Sequence, residues 1–244
     1  MVNIIMKKFW ICLIMFICCC GCSNREDKLI MVTEAGFAPY EYYADGKIVG
    51  VDVEIAKEIA RELGKKLVVK DVAFDSIIHE IKSGKADIGI AGISYTEERA
   101  KQVDFSINYT TSKQVVIVRS DSLIDELDDI FDKKIAVQLG SVADMYVSDV
   151  YKEKNIIRQK KYLAAVQDLI DKKVDCVVMD ELPALEMVKS NGGIRILNDI
   201  LAEDNYGIIV DKGNSELLSV INIVIERLKN EGKINEFVLE YSSK

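Results

Sequence analysis

Residues 28–72 read KLIMVTEAGFAPYEYYADGKIVGVDVEIAKEIARELGKKLVVKDV, and the changes of period along this stretch decide the fold class. KLIMVT (28–33) is a short apolar run of strand type. Asp45-Gly46, between a Tyr-rich and an Ile/Val-rich run, is a two-residue hairpin signal. From Val51 the apolar spacing becomes helical, with Ile55, Ile59 and Leu63 on one stripe. Asp52 is placed to cap the start of that helix and Gly64 to end it. KLVVKDV (66–72) then returns to strand spacing. Strand, helix and strand in this order give a parallel-rich sheet with helices on its faces.

The alternation continues outward from this unit. FDSIIHEIKSG is a short helix ending at Gly84, ADIGIAG (86–92) a strand, and QVVIVR (114–119) an extended apolar run. It then begins afresh with KKIAVQLG, a helix from Ser141, NIIRQKKY, a helix at 162–171, KVDCVVMD and a helix from Glu181. GGIRILN and NYGIIVD (205–211) are further strands, and the last helix carries Leu217, Ile221, Val224, Ile225 and Leu228 at helical spacing. Two such units in series predict an α/β fold of two lobes, each a mixed sheet flanked by helices. Residues 28–117 with 205–244 form the expected first lobe and 118–204 the second. Extended stretches near 115–120 and 200–206 join them, and a crossing by two strands makes a hinge.

The first 22 residues, MVNIIMKKFWICLIMFICCCGC, are of another kind. Lys7 and Lys8 precede an uninterrupted apolar run, Phe9 to Cys20, which is shorter than the roughly 20 residues a spanning helix needs and has the proportions of an export signal. Five of the six cysteines fall here, and Cys176 alone lies downstream, which excludes an internal disulfide in the exported domain. Residues 1–21 read as a signal peptide and 22–27 as a tether. Over the whole chain of 244 residues, 32 Lys and Arg stand against 40 Asp and Glu, a net charge of −8, and 49% of residues are hydrophobic. That composition excludes a disordered chain, and the acidic balance argues against nucleic acid. One His and scattered Cys leave nothing for a zinc site.

No GxGxxG, GxxxxGK[ST] or GxSxG motif is present, and His79 falls within a surface-type helix, so no catalytic residue and no cofactor is assigned. The polar residues that stand out lie at strand ends. Arg99 follows ADIGIAGISYTEER, a strand, a Gly-bearing turn and a Thr96 cap. A guanidinium there, beside the Gly92 and Ser94 amides, can grip a carboxylate through paired hydrogen bonds, or can form a surface ion pair with Glu98 or Asp104. Asp180 ends the strand CVVMD as a functional side chain or as a cap for the next helix. Gly140-Ser141 opens a helix with free amides. Phe37, Tyr40, Tyr42, Tyr43 and Phe74 gather at strand-to-loop junctions, where they wall a slot or fill the core. Glu34 selects a cationic or amide group or is a solvated loop acid.

With these residues assembled, the chain resembles the polar amino acid-binding proteins of bacterial ABC importers. The resemblance runs over roughly 28–240 and is carried by TEAGFAPYEYYADGKIVGVDVEIAKEIARELG, FDSIIHEIKSGKADIGIAGISYTEERAKQVDFSINY, AVQLGS and VDCVVMDELPA. It implies a two-lobed periplasmic-binding-protein-like fold and no enzymatic activity. Arg99 would clamp the ligand α-carboxylate with help from Gly92, Ser94 and the amides at Ser141 and Val142. Asp180 would accept the α-ammonium, Phe37 and Phe74 enclose the side chain, and Glu34 read its polar end. Ala91, where some relatives carry Ser, and Gln138 complete the implied ligand-contact set. Glu34 with Phe37 favours arginine or lysine, with glutamine and cystine as alternatives and a dehydratase-like enzyme on the same fold as a more distant one. Gly21-Cys22-Ser23-Asn24 resembles a lipobox, which implies acylation of Cys22, with Cys20 the other acceptor, and a monomer anchored to the outer face of the cell membrane beside its permease.

Overall fold

The computed structural model describes residues 25–242. The signal peptide, Cys20 and Cys22 lie outside those residues, and the described part of the tether is a single 3-10 turn, Arg25–Asp27.

Among the described residues the chain forms two large sheets and a separate two-stranded hairpin. The first runs β4 (Lys66–Asp71), β1 (Lys28–Thr33), β5 (Ile88–Gly89), β13 (Ile209–Asp211) and β6 (Val103–Phe105). β1 is parallel to β4 and β5, whereas β13 is antiparallel to β5 and β6. The second sheet is built round β7 (Thr110–Arg119), in the order β11 (Ile194–Ile196), β7, β10 (Cys176–Asp180), β8 (Ile135–Gln138), β9 (Ile156–Gln159), and β12 (Ala202–Tyr206) also pairs with β7. A two-residue turn at Asp45 and Gly46, both at positive φ, closes the hairpin of β2 (Tyr42–Ala44) and β3 (Lys47–Val49) as expected.

Both faces of the second sheet are covered, which explains its unbroken apolar strands. Val115, Ile117, Val177 and Met179 join one core, while Val116, Val118, Cys176 and Val178 join another on the opposite face. In the first lobe, Leu29 and Met31 pack with Ile55 and Ile59 of α1 (Val51–Glu62), and Val32 points the other way onto Ile77 and Ile81 of α2 (Ile77–Lys82).

Three local expectations differ from the structure. Asp52 is not the cap of α1: Gly50 holds that position at φ 131°, where an added Cβ would lie 2.1 Å from the Tyr40 carbonyl oxygen, so only glycine fits. NYGIIVD is two strands in different sheets, because the chain turns at Gly207 and Ile208 between β12 and β13. ADIGIAG contributes only Ile88–Gly89 as strand. The expected lobe division at residues 117 and 118 falls inside β7, which pairs along its length within the second sheet. The chain crosses between sheets at 106–109 and 206–208, held together by Ser106 N–H on the Ile208 carbonyl (2.9 Å) and Tyr109 N–H on the Tyr206 carbonyl (3.0 Å).

Candidate functional site

The C-terminal ends of strands from both sheets face one another across a narrow cleft, closed down to about 10 Å³ of free cavity in this structure. The eleven residues of the implied ligand-contact set line it, Glu34, Phe37, Phe74, Ala91, Gly92, Ser94 and Arg99 from the first lobe and Gln138, Ser141, Val142 and Asp180 from the second, whereas Tyr40, Tyr42, Tyr43 and Gly140 do not. Glu41 and Tyr162 line it too.

Arg99 is set in place by a short helix, α3 (Glu97–Ala100), whose Thr96 cap accepts the Arg99 backbone N–H at 3.1 Å. The side chain turns inward and is 4% exposed, so it is not a surface partner of Glu98 or Asp104, the latter pairing with Lys212 instead. Its Nη1 donates to the Ser94 carbonyl at 2.6 Å and its Nη2 crosses the cleft to the Gly140 carbonyl at 2.8 Å. The guanidinium also lies 5.5 Å from the centre of the Phe74 ring, a cation–π contact. Burial draws its pKa down to about 10, with Asp204 and Asp180 opposing, so it remains charged at neutral pH.

Three of the amides expected to stand free at this end are engaged by the protein. Gly92 N–H donates to Asp52 Oδ2 (3.1 Å), Gly140 N–H to Asp144 Oδ2 (3.0 Å) and Ser141 N–H to the Gln138 carbonyl (3.1 Å). Ser141 caps α4 (Val142–Val150) through its hydroxyl, which accepts from the Asp144 amide.

Asp180 ends β10 and precedes α6 (Glu181–Ser190), but it makes no side-chain cap. Its Oδ1 accepts from Gln114 Nε2 at 2.8 Å and from the Tyr206 hydroxyl at 2.5 Å. Both donors come from the strands next to the lobe crossing, so the hinge itself orients this carboxylate. Burial raises its pKa to about 6, with Tyr206, Ser112 and Gln114 pulling against it.

The opposite end is acidic. Glu34 and Glu41 are each 1% exposed and Asp52 is 0% exposed, so Glu34 is no solvated loop acid. Asp52, the second residue of α1, accepts from Gly92 N–H at 3.1 Å and from the Tyr109 hydroxyl at 3.0 Å through Oδ2. Neither Glu41 oxygen meets an N–H or O–H donor of another side chain or the backbone, and the carboxyl abuts Asp52. Two touching buried carboxyls cannot both ionise. Burial and the Asp52 charge push Glu41 well above the carboxylate range, and burial raises Asp52 to about 6, so the pair shares a proton. Phe37 stacks on Tyr162 of α5 (Tyr162–Ile170) at 5.6 Å across the cleft. Gln138 Nε2 donates to Glu34 Oε2 at 3.1 Å, also across the cleft.

Sequence reasoning missed Glu41, Tyr162 and Lys161, which pairs with Glu34 at 2.9 Å. Glu41 had a signal, an acid inside the aromatic run FAPYEYY; the Phe37 N–H bond to its carbonyl at 2.8 Å folds it back beside Phe37. Lys161 and Tyr162 follow the end of β9, where strand-end logic applies as it did at Asp180.

Among the described residues no His/Cys/Asp/Glu group can hold a metal ion, and His79 is exposed and outside the cavity. A hinged two-lobed α/β scaffold with a buried guanidinium from one lobe facing a buried carboxylate from the other is a solute receptor. The chain belongs to the bacterial extracellular solute-binding proteins, family 3, whose profile matches residues 29–244. It is accordingly a polar amino acid-type solute-binding protein of ABC importers and not an enzyme. The arginine-binding extracellular protein ArtP of Bacillus subtilis (strain 168) is 31% identical to it, over 95% of this chain and 96% of that one. The arginine-bound form of a truncated ArgBP from T. maritima superposes with a TM-score of 0.80 at 38% identity, covering 83% of this chain and 96% of that one. An ancestral arginine-binding protein solved with glutamine gives a TM-score of 0.84 at 39% identity, covering 89% and 99%. No helix among the described residues is long and apolar enough to cross a membrane.

Proposed function

We propose that this protein binds a cationic amino acid, arginine or lysine, by closure of its two lobes and presents it to the permease of an ABC importer. The observation that carries this reading is the polarity of the cavity. Arg99 stands at one end for a carboxylate, Asp180 on the opposite lobe for an α-ammonium, and Glu34 at the other end, beside the proton-sharing Glu41, for a second positive charge. Burying each ligand charge is tolerable only where a partner meets it. Because Arg99 and Asp180 sit on different lobes, both charges are satisfied together only in the closed form, which couples occupancy to closure.

The names of ArtP and of the T. maritima protein support arginine. The glutamine complex of the ancestral protein supports an amide ligand as a second reading, and so does the pairing of Glu34 with Gln138 and Lys161. Cys22 is the acylated residue that holds the domain to the outer face of the cell membrane, and the protein acts as a monomer.

The test is a panel of thermal melts of refolded protein with each of the 20 amino acids, cystine and ornithine. A ligand at 100 times its dissociation constant adds about 2.7 kcal/mol, a shift of roughly 5–10 °C for a chain of this size. Shifts confined to arginine, lysine and ornithine are expected. A shift with glutamine or cystine alone would keep the receptor and discard the cationic ligand, and no shift at all would sink the reading.

A further inference from the structure

Glu34 belongs to the first lobe, but it is held from the second. Lys161, at the N-terminal edge of α5, places Nζ 2.9 Å from Glu34 Oε1 and 3.3 Å from Asp71 Oδ2. Gln138 takes the other Glu34 oxygen. The Lys161 side chain is 38% exposed, so the ammonium enters the cleft from its rim. Burial disfavours its charge, but the bonds to Glu34 and Asp71 outweigh that and keep it protonated. Asp71 is itself fixed by the Ala35 N–H at 2.9 Å, which holds the loop carrying Glu34 in register with β4. The protein thus supplies its own cation at the carboxylate a cationic ligand would use, while Glu41, which also lines the cavity, has no such partner.

We propose that Lys161 is a specificity-determining residue: its ammonium competes with the ligand's terminal charge for Glu34, and so sets how strongly the receptor prefers a cationic side chain over a neutral amide. The competition is electrostatic and local. A cation at the acidic end meets the Glu34 carboxylate and one like charge, Lys161, whereas a neutral amide presents only a dipole to both and is less affected by Lys161. Lys161 also ties the lobes together, since its partners lie on the opposite lobe.

This inference rests on the amino-acid reading of the cleft, and one calorimetric series separates the two. Arginine and glutamine are titrated into the wild-type protein, Lys161→Met and Lys161→Arg. Methionine keeps the aliphatic stem without the charge, and arginine keeps the charge; a thermal melt establishes that each variant is folded. The ratio of arginine to glutamine affinity is expected to rise about tenfold in Lys161→Met and to stay within threefold of wild type in Lys161→Arg. In a Glu34→Gln background the Lys161→Met gain is expected to vanish, as a double-mutant cycle requires if the two groups act through each other. An unchanged or lower ratio in Lys161→Met, with normal wild-type binding, overturns the role of Lys161 alone. Should the wild type bind neither ligand, the amino-acid reading falls and the inference with it. If Lys161→Met does not fold, an unchanged ratio in Lys161→Gln overturns the proposal and a raised one supports it.

Discussion

The two ends of the cleft are built on opposite plans. At the Arg99 end the charged group is braced by backbone: two carbonyls, one from each lobe, take its Nη atoms, and a capped turn fixes its Cα. At the acidic end Glu34, Glu41 and Asp52 have almost no exposure, and Glu41 and Asp52 share one proton. Backbone bracing is indifferent to the ligand side chain, so the first plan suits the part common to all amino acids. Crowded carboxyls are costly to hold and respond to any cation brought near them, which suits discrimination. On the proposed function, affinity is set at one end and choice at the other.

The largest effect is expected at Arg99. Arg99→Ala removes the grip and leaves the Ser94 and Gly140 carbonyls unpaired, and a loss of about 2–5 kcal/mol in amino-acid binding is expected for every ligand alike. Titration calorimetry with arginine and glutamine checks it, and a loss confined to one of them would show that this end also discriminates. Asp180→Asn comes next. Loss of the ammonium's partner is expected to weaken binding by about 2–3 kcal/mol. The same change should stabilise the unliganded protein at pH 7 by roughly 1–3 kcal/mol, because a carboxyl whose pKa rises from 3.8 to about 6 on folding is costly to ionise. Denaturant melts of the two proteins decide whether binding and stability move in opposite directions.

Acid sharpens the comparison further. Asp52 and Asp180 both have folded pKa values raised to about 6 by burial. Their contribution to stability is therefore full below the unfolded value of 3.8 and is lost as pH rises through 6. Ligand binding runs the other way, since an ammonium at Asp180 requires the carboxylate. Affinity is expected to fall by up to about tenfold per pH unit below 6 for each proton displaced. Calorimetry at pH 7, 6 and 5, in buffers of different ionisation enthalpy, reads the proton release directly. An affinity flat from 7 to 5 would mean that Asp180 is ionised throughout.

The same contrast explains what was legible beforehand. The first end is written in contiguous sequence: a strand, a glycine turn, Thr96 and Arg99 follow one another, and local rules of capping and strand ends suffice. Asp180 was legible for the same reason. The acidic end depends on contacts between distant segments. Asp52 looked like a cap because it stands near a helix start, but Gly50 takes that role and Asp52 reaches Gly92 and Tyr109, which only the folded first lobe brings near. Lys161 and Glu34 meet only across the cleft, and no spacing within the chain announces it. NYGIIVD misled because its alternation is continuous while the chain changes sheet at Gly207, a turn dictated by the hinge rather than by local propensity.

The smallest expected effect tests whether backbone bracing matters at all. Thr96 touches nothing in the cavity; its hydroxyl only accepts the Arg99 amide. Thr96→Ala is expected to cost about 1 kcal/mol of stability, the usual value of a lost cap. Its effect on binding depends on how Arg99 is held. If the two carbonyl bonds alone fix the guanidinium, binding is untouched. If the turn must first fix the Cα, a few-fold loss of affinity, equal for arginine and glutamine, accompanies the lost stability. The structure favours the second outcome, because α3 is a single turn of four residues, Glu97–Ala100, with little besides its cap to define where Arg99 begins. Thr96→Ser, which keeps the hydroxyl, should restore both quantities. A selective loss for one ligand would contradict the division between the ends, since nothing at Thr96 faces the side-chain end of the cleft.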